Sequence, residues 1–215
     1  MLFTEVNTLA RNPQAFGKLF SLSTQYAPST QKVVEEWVAL VAESESLSIP
    51  MQLSEANNFF NQHIHFQSDI EVWRQADYWA TPLDTVSVMA GDCEDFAIAK
   101  YVTLLEMGVP EEMLRLVYVQ ISLPDGPQAH MVLAVYLTPA EEPLLLDNID
   151  FEIKSASKRP DLIPIYSFNA SSLWVGGDSR SKGDAKSRLS KWQDVLDRIK
   201  KHGFLDSPSN KTREE

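Results

Sequence analysis

Apolar residues recur at helical spacing through the first half of the chain. They predict a helix from Ser29 to about Ser46, with Ser29 or Thr30 as its cap. The apolar positions of this helix are Val33, Val34, Trp37, Leu40 and Val41. A second helix, which carries two adjacent phenylalanines, is predicted to begin at Ser54.

A third helical pattern lies in the stretch GDCEDFAIAKY, which begins at Gly91. The apolar stripe of this helix consists of Cys93, Ala97, Tyr101 and Leu104. Gly108, which is followed closely by Pro110, is a typical helix stop. Beyond this stop the hydrophobic period changes from about 3.6 residues to about 2, which is typical of strands.

The second half of the chain contains four segments with strand periodicity. These are LRLVYVQISL, HMVLAVYLT, PLLLDNIDF and the shorter IPIYSFN. Because helices come first and strands follow, we predict an α+β fold with an antiparallel sheet.

One more amphipathic helix is predicted near the C-terminus. Its apolar face consists of Leu189, Trp192, Leu196 and Ile199. We therefore predict one domain over residues 1–175 and an amphipathic helix within 176–206 that packs on it or extends from it. The polar residues 207–215 are expected to form a disordered tail.

Charge and length narrow the function classes. The formal net charge is −11, and residues 1–175 hold only 9 Lys and Arg against 23 Asp and Glu. Nucleic acid is therefore not expected as a partner, because binding to phosphates needs clustered basic residues.

No apolar run approaches the roughly 18 to 20 residues that cross a bilayer. The first residues do not resemble a secretory signal, so we expect that any export signal was removed or never existed.

The chain has one cysteine, Cys93, and it lies among three acids. If Asp92 caps the helix, Cys93 occupies its first position, where unpaired N–H groups and the helix dipole favour a thiolate. Nearby carboxylates oppose that ionisation. The alternative is a small buried residue at a helix start, with no chemical role.

A nucleophilic cysteine needs a base, and the chain has four histidines. His130 is the best candidate because it opens a strongly apolar strand directly after the turn-rich PDGPQA. His202 is expected to face solvent in the C-terminal helix. His63 and His65 have a spacing that could bind a metal, but surface or helix-end positions fit them better because further ligands are not nearby.

The acid that orients His130 is predicted to be Asp147, with Asn148 as a second choice. Asp147 interrupts the apolar run PLLLDN, and an unpaired acid in a half-buried strand is costly. In a hairpin with an even loop, residues whose numbers add to an odd value share a face, as 130 and 147 do. A symmetric turn after Ala140 would place Asp147 opposite Ala134, so contact with His130 requires a bulge or an asymmetric loop.

The motifs DYWATP, GDCEDFAIAKY, LRLVYV, HMVLAVY, LLLDN and RPDLIPIYSFN occur in this order. In order and spacing they resemble the bacterial transglutaminase-like cysteine proteinases, in particular the LapG-type periplasmic members, over roughly residues 30 to 175. The resemblance implies a papain-like, transglutaminase-like fold with the cysteine helix packed on the sheet. It also implies that Cys93 is the nucleophile, His130 the general base and acid, and Asp147 the orienting residue.

A calcium ion is expected beside the cysteine, because the resemblance implies it and the residues independently favour it. Asp92, Glu94 and Asp95 would repel one another and the thiolate unless a cation lay among them. Carboxylate oxygens suit Ca²⁺. Successive helical side chains diverge by about 100°, so we expect an upstream ligand as well, with Asp77 the best candidate. Asp95 has an alternative role in capping the helix.

The resemblance implies a periplasmic, calcium-dependent endopeptidase that cleaves a large surface adhesin near its N-terminus and releases it, which promotes biofilm dispersal. It also implies sequestration by an inner-membrane, cyclic di-GMP receptor of the LapD type. Cyclic di-GMP itself is not expected to bind this acidic chain. Two alternatives stay open: a transglutaminase-type acyl transferase with the same three residues, and a calcium-responsive binding module without catalysis.

Overall fold

Helices fill the first half of the chain and an antiparallel sheet fills the second, as the change of period predicts. The structure is a computed structural model that describes residues 21, 24, 26–175 and 189–204. Its helices are α1 (Pro28–Glu43), α2 (Ile49–His63), α3 (Asp69–Val72), α4 (Pro82–Val88), α5 (Cys93–Glu106) and α6 (Ser190–Lys201). None of the helices in the described ranges is both long and apolar enough to span a membrane.

Within the described residues the strands form two sheets. The strands are β1 (His65–Phe66), β2 (Ala90–Gly91), β3 (Leu114–Leu123), β4 (Gly126–Val135), β5 (Leu144–Leu146), β6 (Lys154–Ser155), β7 (Leu162–Phe168) and β8 (Leu173–Val175). The larger sheet has the order β6-β5-β4-β3-β7-β8, and every neighbouring pair in it is antiparallel. β1 and β2 form a short parallel pair just before α5.

Prolines, rather than serines, mark the starts of α1 and α2. The predicted cap at Ser29 or Thr30 is wrong, because α1 begins at Pro28. The predicted start at Ser54 is also wrong, because α2 begins at Ile49 and has Pro50 in its first turn. Proline fits the first turn of a helix, since its φ angle is already helical and the N–H it lacks would have no partner there.

The hairpin of β3 and β4 is tighter than the sequence suggests. Its register runs from Leu114 opposite Val135 to Leu123 opposite Gly126, which leaves only Pro124 and Asp125 in the turn. Gly126 has a φ of +110°, a value that residues with a Cβ rarely adopt. As a result, His130 does not open the strand as predicted but lies in the middle of β4.

Helix α5 is the centre of the core. It packs on β4 and β3 on one side and on α2 and α4 on the other. All residues from Asp95 to Leu104 are buried, so the predicted apolar stripe is part of a helix that is enclosed all round. This packing fixes where the helix begins, and therefore where Cys93 lies.

The C-terminal helix α6 belongs to the same core. Its buried side chains are Trp192, Val195, Leu196 and Ile199. The Trp192 indole meets the rings of Tyr101 and Phe168 edge to face, and its Nε1 donates to the Asn169 carbonyl over 2.8 Å. The parts of the domain prediction that concern residues 1–20, 22, 23, 25, 176–188 and 205–215 lie outside the described residues.

Trp192→Ala tests the packing of α6. We expect the variant to lose about 3 to 5 kcal/mol of unfolding free energy, because a fully buried indole and its hydrogen bond are removed. Urea denaturation measures this loss. Lys200→Ala, an exposed position of the same helix, should change stability by less than about 0.5 kcal/mol. Equal stability of the two variants would contradict the position of α6.

Candidate active site

Cys93 is the first residue of α5 and faces the middle of β4. Its S–H group donates to Glu94 Oε2 over 3.0 Å, and the backbone N–H of Met131 points at its sulphur. Burial raises the pKa of the Cys93 thiol, and the carboxylates of Glu94 and Asp92 raise it further. Asp92 occupies the N-cap position, but its side chain makes no capping hydrogen bond.

His130 and Asp147 are buried and bonded to each other. His130 Nε2 lies 2.8 Å from Asp147 Oδ1, with 3% and 2% of the two residues exposed. His130 directly precedes Met131, so the strand that carries the imidazole also contacts the Cys93 sulphur. Of the three predicted catalytic residues, Cys93 and His130 therefore line one cleft of about 720 Å³, and Asp147 is bonded to His130 without lining the cleft itself.

The strand register explains how Asp147 reaches His130. β5 pairs with β4 through Leu146 opposite Leu133 and Leu145 opposite Ala134. The symmetric turn, which would place Asp147 opposite Ala134, is therefore wrong by two residues. Asp147 follows the last pair of the ladder and comes diagonally close to His130, as the asymmetric connection requires.

The Asp147 carboxylate has a partner on every side. Oδ1 accepts hydrogen bonds from the backbone N–H groups of Asn148 and Ile149, and Oδ2 accepts one from Arg159. Burial opposes ionisation of Asp147, but the bond from His130 and these further donors outweigh it and hold its pKa well below the ordinary range. Asn148, the second choice, does not take the place of Asp147 beside His130.

A buried lysine holds the same residue from behind. Lys100 Nζ donates to the Asp147 carbonyl over 2.9 Å and to Asn61 Oδ1 over 2.8 Å. Asn61 Nδ2 donates to the same carbonyl over 2.9 Å. Desolvation lowers the pKa of Lys100 to about 7. Sequence reasoning missed Lys100 because a lysine in an amphipathic helix usually faces solvent.

Five acids converge at the start of α5 and form what we call the acidic cluster: Asp69, Asp77, Asp92, Glu94 and Asp95. Within it, ligand atoms of two trios lie within 4.8 Å of one another: Asp69 with Asp92 and Asp95, and Asp69 with Asp77 and Glu94. A third trio of the same kind joins Asp92 and Glu94 to Cys93. All four predicted ligands are present. Asp69, which is common to the first two trios, was missed because an acid in the first turn of a helix is ordinary; only its burial to 3% exposure distinguishes it.

The cluster is held by its neighbours in a strict geometry. The backbone N–H groups of Ala80 and Tyr78 donate to Asp95 Oδ1 and Asp69 Oδ2, at 2.8 and 2.5 Å. A Cβ at Gly91 would lie 2.6 Å from Asp95 Oδ2, so only glycine fits this approach. Asp77, the most exposed member, forms an ion pair with Lys191 of α6.

The donor set fits a hard divalent cation. Three buried carboxylate oxygens, Asp69 Oδ1, Asp92 Oδ1 and Asp95 Oδ2, lack a hydrogen-bond partner. Burial and the neighbouring acids raise the pKa of Asp69 to about 6, that of Asp92 to about 9, and that of Asp95 well above its ordinary value. Buried charges are normally paired or coordinate a metal, and carboxylate oxygens are the ligands that Ca²⁺ takes.

The other histidines lie away from this chemistry. His63 ends α2, where Nε2 lies 3.1 Å from Glu36, and His65 is exposed on β1. His202 was expected to face solvent. That prediction is wrong, because the residue is only partly exposed and its Nδ1 lies 3.3 Å from Thr81 Oγ1.

The arrangement of a helix-borne thiol and a strand-borne imidazole with its acid is matched by a known family. The model of the bacterial transglutaminase-like cysteine proteinases (BTLCP) matches residues 19–178. The chain belongs to this family. It therefore has the transglutaminase-like cysteine protease fold that its mixture of helices and antiparallel sheet indicates.

Solved structures of Legionella pneumophila LapG share the fold. An EGTA-treated structure is 41% identical with a TM-score of 0.76, and it covers 86% of this chain and 97% of that one. A calcium-bound structure is 38% identical with a TM-score of 0.74, over 86% and 98% of the two chains. A further LapG structure is 41% identical, with a TM-score of 0.75 over 86% and 95%. The comparison with curated proteins finds no match.

Lys100→Met tests the buried lysine through pH. The pKa of Lys100 is lower in the folded chain, near 7, than in the unfolded chain. Between about pH 7 and pH 10 the unfolded chain therefore binds more protons, and Lys100 makes stability rise with pH by at most about 1.4 kcal/mol per pH unit. Urea denaturation at several pH values should show this rise in the wild type relative to Lys100→Met.

Lys200→Met, at an exposed position, should keep the pH dependence of the wild type. If the difference between wild type and Lys100→Met does not change from pH 7 to pH 9, Lys100 is not held in the low-dielectric position that the structure gives it.

Proposed function

We propose that this protein is a calcium-dependent cysteine endopeptidase whose catalytic residues are Cys93, His130 and Asp147. The observation that carries this proposal is the buried 2.8 Å bond between His130 and Asp147 beside the only cysteine of the chain. Membership of a cysteine proteinase family supports the same reaction class.

Each of the three residues has a distinct role in the proposed reaction. His130 takes the proton of Cys93, the sulphur attacks the scissile carbonyl carbon, and the imidazolium then gives its proton to the leaving amine. Asp147 holds the ring in the required tautomer and stabilises the imidazolium. Water, activated by His130, hydrolyses the thioester. The Cys93 backbone N–H, which lies at the start of α5, is the donor that we propose for the oxyanion.

The acidic cluster is the proposed calcium site. Asp69, Asp92, Glu94 and Asp95 would hold the ion, with Asp77 at the exposed side. A bound Ca²⁺ supplies positive charge beside the thiol, which offsets the carboxylates that oppose its ionisation. The chain itself keeps the cluster in place through the loop that precedes α4 and through the start of α5. The existence of a calcium-bound LapG structure supports this proposal.

The biological role follows the LapG resemblance and is proposed on that ground. The substrate is a large cell-surface adhesin, which is cut near its N-terminus in the periplasm, so that the adhesin leaves the outer membrane and the biofilm disperses. The regulator is an inner-membrane cyclic di-GMP receptor of the LapD type, which sequesters the protease without cyclic di-GMP binding to this chain. The likeness to LapG over most of both chains supports this role.

Cys93→Ala tests the reaction. The N-terminal segment of a candidate adhesin from the same genome is incubated with the wild type and the variant, and the products are followed by mass spectrometry. We expect the wild type to yield two fragments with a new terminus, and Cys93→Ala to lose at least about 1,000-fold in rate, since the nucleophile is removed. Fragments formed by Cys93→Ala at the wild-type rate would exclude the proposed nucleophile.

The same products separate the alternatives. An acyl transferase would leave the chain intact and cross-link it to an amine with loss of ammonia. A binding module would give no product, and its Cys93 would react with iodoacetamide no faster than free cysteine at pH 7.

Asp69→Asn tests the calcium site. Asp69 belongs to two of the trios described above, so loss of its charge should weaken Ca²⁺ binding about tenfold or more, as measured by calorimetry on EGTA-stripped protein. EGTA should abolish cleavage by the wild type, and Ca²⁺ should restore it. Asp125→Asn, in the exposed turn between β3 and β4, should bind Ca²⁺ like the wild type. Equal affinity of both variants would place the ion elsewhere.

A further inference from the structure

An ion-pair network lies directly behind Asp147, and the reaction described above does not use it. Arg159 is only 5% exposed, and its Nη1 donates to Asp147 Oδ2 over 2.8 Å. The other edge of the guanidinium faces Asp161, with Nε 3.0 Å from Oδ1 and Nη2 2.8 Å from Oδ2. Arg159 therefore bridges two carboxylates, and the buried one is bonded to His130.

Backbone hydrogen bonds also hold Arg159 in place. Its N–H donates to the Ala156 carbonyl over 3.0 Å, and its own carbonyl accepts from Leu162 over 3.1 Å. The Asp161 carbonyl accepts from Ser122 at the end of β3 over 2.9 Å. The backbone of the segment that carries Arg159 and Asp161 is thus hydrogen-bonded to the central sheet, which fixes the start of both side chains.

The chemistry of this position suits arginine and no other residue. A guanidinium is planar and always charged, and its donors form a fixed fork that can serve two carboxylates at once. A lysine ammonium could keep the charge but would contact Asp147 and Asp161 with a single nitrogen. Arg159 therefore supplies a positive charge and also fixes the orientation of the two carboxylates that it contacts.

We propose that Arg159 is a positioning residue for catalysis: it fixes the rotation of the Asp147 carboxylate toward His130, and together with Asp161 it sets how strongly that carboxylate stabilises the imidazolium. The inference rests on the proposed triad. With His130 protonated, the group of His130, Asp147, Arg159 and Asp161 has two positive and two negative charges. Asp161 prevents Arg159 from cancelling the charge that Asp147 offers to His130.

Other charges also face His130 and Asp147. The charged or titratable residues that line the cleft beside His130 are Asp69, Asp77, Asp92, Cys93, Glu94, Tyr118, Tyr166 and Lys191. Lys100 bonds to the Asp147 carbonyl. These groups are the same in the variants below, so a difference between two variants reports the changed residue.

The test compares Arg159→Met, Arg159→Lys and Asp161→Asn with the wild type, with calcium in excess. Both kcat and KM for the adhesin segment are measured across pH. Arg159→Met should lower kcat about 10- to 100-fold while KM changes less than about twofold, because the orientation of Asp147 is lost and substrate contacts are kept. Arg159→Lys should recover part of kcat.

The alkaline limb of the pH profile separates this role from a purely structural one. This limb reports loss of the imidazolium proton. Removal of the positive charge in Arg159→Met stabilises the imidazolium, so the limb should move to higher pH. Removal of the negative charge in Asp161→Asn should move it to lower pH, in each case by several tenths of a pH unit. Lys158→Met, the exposed neighbour with the same change of charge, should leave the limb in place.

Each outcome decides something. Opposite shifts in Arg159→Met and Asp161→Asn support the inference. An unchanged kcat and an unmoved limb in folded variants overturn it, while an active Cys93→Ala would overturn the proposed triad instead. If Arg159→Met does not fold, as judged by circular dichroism, Asp161→Asn and Arg159→Lys still test the inference. The alkaline limb of Asp161→Asn must then move to lower pH. The limb of Arg159→Lys must stay at the wild-type pH while its kcat is reduced.

Discussion

The close packing of α5 against the sheet is the constraint on which the rest of the site depends. This helix is buried along most of its length, between β4 and β3 on one side and α2 and α4 on the other. An enclosed helix cannot slide or rotate without opening cavities in the core, so its first residue has one position. That position brings Cys93 to the strand that carries His130. It also brings three acids close to Asp69, at the start of α3, and to Asp77 in the loop that follows α3.

The same packing places several carboxylates and a thiol close together, where their negative charges repel one another and a cation would reduce the repulsion. Burial and the neighbouring acids raise the pKa values of Asp69, Asp92 and Asp95. Burial, Glu94 and Asp92 raise the pKa of the Cys93 thiol. A cation among these oxygens favours the ionised form of every one of these groups at once. The acids and the thiol therefore form one electrostatic unit, and the ionisation of Cys93 depends on what neutralises the acids.

Much of this could be predicted from the sequence, and the failures have physical causes. Periodicity predicted the sheet and α5. The candidate catalytic residues were recognised because they are rare in their surroundings: Cys93 is the only cysteine, and Asp147 is the one acid in an apolar run. The exact register of β5 could not be predicted, because it depends on the path of the connection from β4, and only the need for an asymmetric connection was foreseen. Asp69 and Arg159 were missed because acids at helix starts and arginines in loops are usually exposed, and only tertiary packing buries these two.

The C-terminal helix has a larger part than its sequence suggests, since the family motifs end before it. Arg198 of α6 donates to the Tyr78 hydroxyl over 2.9 Å and bonds to the Trp79 carbonyl, and Lys191 pairs with Asp77. Tyr78 in turn donates its N–H to Asp69. α6 is thus bonded to the loop that supplies one side of the acidic cluster, while the sheet and α5 supply the other. The buried side chain of Trp192 anchors α6 in the common core. The same buried side chain therefore stabilises the fold and, through α6, holds this loop in place.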